Sequence, residues 1–165
     1  VNDADVNQAV KAIVNNKLAR DELFSVDLLK AILGLLKTTP SRESLSMITT
    51  LRNHTFKGIT DLDKNRLIED ALKVVNPHVR HLDQRVEKEV ISFATDAVEQ
   101  HKALKRLAKT EAEVTKILAT GDTSKAGELI CREALTSAKE GDFTAAELLK
   151  NRLLEFVVVF NDVCV

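Results

Sequence analysis

Val79, Leu82, Val86, Val90, Phe93, Ala97, His101 and Leu104 follow one another at steps of three or four, with mostly polar side chains between them. That spacing lays them along one stripe of an α-helix of about thirty residues, on the order of 45 Å long. A rod of this length sets the architecture of a 165-residue chain, because shorter helices must pack against its stripe. The remaining sequence supplies such helices. With 5 Gly and 2 Pro in the whole chain, turn signals are too few for an all-β fold.

Val6, Val10, Ile13, Val14 and Leu18 keep helical spacing over about residues 3–18. Ser25 caps a second helix with Leu28, Leu29, Ile32, Leu33 and Leu36 on a wide apolar face. Thr39-Pro40 opens a third helix, carried by Leu45, Ile48 and Leu51, with Gly58 as its stop. Asp61 or Asp63 opens a fourth, with Leu67, Ile68, Ala71, Leu72 and Val75 inward. Asn76-Pro77 starts the long helix. Thr110 and Glu113 form a capping box that predicts a new short helix ending at Gly121. Asp122, Thr123 or Ser124 starts the next, and Gly141-Asp142 turns into the last, where Thr144 and Glu147 form a second box. The last helix runs through Leu153, Phe156 and Phe160, where burying large apolar groups outweighs the β propensity of Val157–Val159. The expected fold is all-α: one domain over residues 1–165, an antiparallel bundle of about seven or eight helices with one long central helix.

Composition narrows the function. The chain is 44% hydrophobic and 30% charged, which suits a folded core rather than a disordered chain. It has 6 Phe but no Trp or Tyr, so that core is aliphatic. A net charge of −1 gathers neither nucleic acid nor anionic lipid. No apolar run reaches the eighteen or so residues of a membrane span; the closing stretch from Leu153 is broken by Glu155, Asn161 and Asp162. A chain opening on Val1 rather than Met is expected to have lost its natural start, to secretory processing or to excision from a larger protein. Location therefore leans toward secreted, with a cytoplasmic setting as the alternative.

"ATGDTSKAGELI" and "KEGDFTAAELLK" share a Gly-Asp corner followed by Ala. Ala134, Gly141-Asp142-Phe143 and Ala146 resemble the turn of a tetratricopeptide repeat over about two dozen residues. Leu153 and Val158 stand where that family prefers a small residue and a proline, and the two corners lie 20 residues apart, not 34. Two similar helix–turn–helix corners are the reading retained. "SMITTLRNHTFKGI" resembles a helix–loop segment of the small helical domains of transcription-elongation factors, and that likeness carries no site residue.

Chemistry-bearing motifs are scarce. No nucleophile elbow, phosphate loop or dinucleotide fingerprint occurs. His78 and His81, three apart on one helix, are the weak metal candidates, without further ligands at recognisable spacing. No cofactor is expected. Lys102, Lys105, Arg106 and Lys109 form the clearest basic cluster, but no aromatic stands nearby to stack on bases. Nucleic acid is therefore not the expected partner. Asn53-His54-Thr55 is an N-glycosylation sequon and predicts an exposed Asn53. Cys131 and Cys164 invite a disulfide, yet on straight antiparallel helices Cys164 lies about 20 Å beyond the level of Cys131. Bonding needs Cα atoms within roughly 7 Å, so the tail must turn back near Phe160. The functional expectation is a non-enzymatic helical binding protein for a partner protein or a hydrophobic ligand. Leu28, Leu29, Ile32 and Leu36 are the candidate groove walls. The alternative is a scaffold module cut from a larger intracellular protein.

Overall fold

The computed structural model describes the backbone of residues 3–38, 48–75 and 83–164, with side chains over 6–35, 48–73 and 83–156. The fold is all-α; among the described residues no strand occurs. The helices are α1 (Asp3–Ala19), α2 (Val26–Thr38), a short piece over 48–53, α3 (Asp61–Val75), α4 (Gln84–Ala119), α5 (Thr123–Lys139) and α6 (Phe143–Cys164). They gather into two compact units, Val1–Val98 and Glu99–Val165.

In the first unit, Ser25 caps α2 as its sequence predicts, with its hydroxyl accepting from the Leu28 N–H at 3.2 Å. The cap of α3 falls one residue earlier than Asp61: Thr60 Oγ1 accepts from the Asp63 N–H, and Asp61 and Asp63 sit in the first turn. The Asn76-Pro77 start lies outside the described residues; the start seen is Asp83, whose carboxylate accepts from the Arg85 N–H at 2.9 Å. The two apolar edges of α2 divide between two clusters. Leu29 and Leu33 join Val6, Val10, Val14, Val90 and Ala94, while Leu28 and Ile32 join Leu67, Ile68 and Ala71.

Two lysines are buried within this aliphatic packing. Lys17 Nζ bonds Asp70 at 2.7 Å and Glu22 at 3.0 Å, tying the end of α1 to α3. Burial lowers its pKa, but the bonds to Asp70 and Glu22 outweigh that effect, and its pKa ends above the usual lysine value. Lys64, 2% exposed, reaches from α3 to the carbonyls of Arg52 at 2.5 Å and His54 at 2.8 Å. Its ammonium thereby satisfies acceptors left open at the end of the 48–53 helix. On the surface, Lys11 at 3.1 Å and Asn7 hold Glu89 below the usual carboxylate range.

In the second unit, α4 corrects a sequence expectation. It continues unbroken through Thr110 to Ala119, so the Thr110–Glu113 box starts no helix. No Gly or Pro interrupts that stretch, and buried Ala103, Thr110 and Val114 continue the inward stripe at steps of seven and four. Real helix ends come at glycines in the left-handed region, Gly121 at φ 84° and Gly141 at φ 80°. At the second, Asp142 N–H returns to Ser137 O and Gly141 N–H to Ala138 O, closing a Schellman turn. The aspartate after each glycine then caps the next helix: Asp122 accepts from the Lys125 N–H, and Asp142 from the Ala145 N–H. Asp142, rather than Thr144, is therefore the cap of α6. Val114, Ala126, Leu129 and Ile130 form the core of this unit, closed by Ile117, Leu153 and Phe156. Gly127 leaves room for Phe156, since a Cβ there would stand 3.3 Å from the ring.

A Cβ at Gly141 would meet nothing within 4 Å, so Gly141→Ala tests the backbone conformation alone. The expected loss is about 1–2 kcal/mol in urea unfolding; an unchanged midpoint contradicts the left-handed corner. Lys17 gives a pH prediction. Its pKa is raised in the fold, so its contribution is full below about 10.5 and is lost as pH rises through the higher folded value. Relative to Lys17→Met, the wild-type unfolding midpoint is expected to fall only above that pH. Parallel profiles for the two proteins would disprove the linkage.

Candidate functional site

Of the four candidate groove residues, three are described with their side chains. Leu28, Leu29 and Ile32 are 0–1% exposed, because α1 and α4 cover one edge of α2 and α3 covers the other. They are core residues. The side chain of Leu36 lies outside the described residues, as do His78 and His81 entirely. Among the described residues no group of three His, Cys, Asp or Glu is placed to hold a metal ion. Asn53 is exposed at the end of the 48–53 helix. Cys131 carries a free, exposed thiol. The helix α6 runs on to Cys164 without turning back near Phe160, and the Cys164 side chain lies outside the described residues.

The basic cluster is partly consumed within its own unit. Arg106 Nη1 donates to Glu140 at 2.7 Å, with Glu133 and Asp142 at 3.9 Å. One guanidinium thus ties α4 to α5 and to the α5–α6 corner. Its partners are the carboxylates that the Gly141 turn brings together. Arg152 on α6 likewise donates to Glu111 on α4. Lys102 and Lys109 stay exposed. An open cleft of about 340 Å³ lies against the corner, between Lys102, Glu99 and the exposed Phe143. In the first unit a second open cleft, about 440 Å³, is lined by Lys30, Gln84, Glu87, Lys88, Ile91 and Ser92. Both linings mix charges of either sign, which suits neither an apolar ligand nor a dedicated ion site.

What the packing leaves outward is more distinctive. Seven large apolar side chains are exposed among the described residues, and five belong to the second unit: Leu104, Leu118, Leu135, Phe143 and Leu154. On α5 the inward positions are Ala126, Leu129, Ile130 and Ser137. At 100° per residue Leu135 falls on the opposite side, with exposed Cys131 one turn before it and exposed Ala138 one turn after. Sequence reading missed this face, although the spacing of Cys131, Leu135 and Ala138 was there to find.

Leu28→Ala separates core from groove. Truncation at a site with no exposure is expected to cost about 2–5 kcal/mol in chemical denaturation; a near-neutral result would return Leu28 to the list of groove residues. No protein-family model, curated protein or solved structure matches this chain.

Proposed function

We propose that the chain is a non-enzymatic helical binding protein that engages a partner protein through the outward faces of its second unit. The observation that carries this reading is the exposure of Leu135 (60%), Phe143 (70%) and Leu154 (54%) on helices whose opposite sides are fully packed. Scattered single exposed leucines are ordinary on any surface. Here they recur on successive helices of one small unit, where a partner can cover several at once. A protein partner is favoured over a small hydrophobic ligand because these side chains stand on outward faces, while the clefts described are lined by charge. Nucleic acid is disfavoured by the neutralisation of Arg106, the centre of the basic cluster.

The test uses the immobilised chain and a variant with Leu104, Phe143 and Leu154 changed to Ser, each offered an extract of the source cells. Proteins retained by the wild type are purified and titrated singly by calorimetry. The expected result is a binary complex that the triple variant weakens at least tenfold, or about 1.4 kcal/mol, while its circular dichroism is unchanged. The reading fails if no retained protein reconstitutes a complex. Release of a stoichiometric lipid on solvent extraction would assign the protein to ligand carriage instead.

A further inference from the structure

We propose that the outer face of α5 docks an amphipathic helix of another protein, one whose apolar seam is flanked by a row of acidic side chains. This rests on the reading above and names the class of partner. Along the 17 residues of α5, exposed Cys131, Leu135 and Ala138 make a seam in which small residues lie a turn to either side of one leucine. Such a seam receives the knobs of a facing helix beside Leu135. Beside it runs a second row: Lys125, Arg132 and Lys139, at steps of seven and all exposed. Seven residues are two turns less about 20°, so the three cations stay along one flank for the length of the helix. None of them forms an ion pair among the described residues, although Arg106 and Arg152 of the same unit are both paired.

An unpaired cationic row beside an apolar seam sets the chemistry of what covers it. A facing helix with Asp or Glu at heptad spacing complements the row while its apolar side chains fill the seam. A second copy of this chain docked antiparallel brings Lys125 toward Lys139 of its mate and Arg132 toward Arg132, which is repulsive. A bilayer surface rewards a broad apolar face, and this seam is three residues long. Glu128, exposed one turn before Arg132, is the single carboxylate on the outer face of α5 and stands toward its N-terminal end. It gives the face a polarity, and so a preferred direction for the incoming helix.

The probes are two labelled synthetic helices of about three heptads, alike in leucine seam and different in flanks, all Glu in one and all Lys in the other. Fluorescence anisotropy with the full chain is expected to show the Glu peptide binding at least tenfold more tightly than the Lys peptide at low salt, with the gap narrowing as salt rises. The variant Lys125→Glu/Arg132→Glu/Lys139→Glu is expected to invert that preference. Leu135→Asp is expected to weaken both peptides, with the helical circular dichroism retained because the side chain is exposed. Equal binding of the two peptides, no binding of either, or a charge-reversed variant without inversion overturns the inference. So does sedimentation of a wild-type dimer that Leu135→Asp dissolves, or binding to phosphatidylserine vesicles in place of the Glu peptide. A natural partner whose complex survives both α5 variants but not the Leu104, Phe143 and Leu154 changes overturns this inference and leaves the proposed function standing.

Discussion

Two left-handed glycines organise the second unit. Gly121 and Gly141 each let the chain reverse within three residues, and the aspartate after each at once caps the next helix. A side chain with a Cβ resists that backbone conformation, and a longer loop would leave the register of the helices open. With both corners fixed, the inward face of α5 is set by geometry, and Ala126, Leu129 and Ile130 meet Val114, Leu153 and Phe156. The outward face is set by the same step. Fixing the glycines therefore also fixes which residues of α5 face outward.

The first unit is organised by buried cations. An ammonium taken from water is costly unless it is paired and hydrogen-bonded. Lys17 has two carboxylates and Lys64 has two backbone carbonyls with Asp61 at 3.4 Å. Each lysine joins two helices, α1 to α3 in one case and α3 to the preceding 48–53 helix in the other. Aliphatic side chains slide and repack at little cost, whereas these bonds are satisfied in one arrangement only. In a core without Trp or Tyr, they supply directional contacts that packing alone lacks.

These lysines also mark where sequence reading stopped. Lys64 precedes Leu67, Ile68 and Ala71 at helical spacing, and Lys17 follows Val10 and Val14 on the same terms. Both lie on apolar stripes, yet a lysine in a sequence carries no signal of burial. The all-α class, the Ser25 cap, the long helix and the Gly-Asp corners were legible because each rests on local chemistry. The helix break at Thr110 was misread because a capping box is a permissive signal. It ends a helix only where the apolar stripe also ends, and here Val114 continues it. Amphipathic period says which face of a helix is buried but not against which neighbour. The same gap made Leu28, Leu29 and Ile32 groove candidates: a wide apolar face reads alike whether one helix covers it or two.

The candidate surface on α5 was overlooked for a related reason. Binding, unlike catalysis, needs no rare residue type, so a search for histidine pairs, nucleophiles and glycine loops passes over it. Its signal is relational: an apolar step of four and then three, 131–135–138, beside a cationic step of seven, 125–132–139. Either series alone is ordinary on a helix. Together they acquire meaning only once Ile130 and Ala126 are known to be inward, because the inward face decides whether the apolar series is core or seam. Arg106 shows that a cation of this unit can be paired where carboxylates come within reach, whereas Lys125, Arg132 and Lys139 form no ion pair among the described residues. In the proposed complex the complement of that row comes from the docked helix.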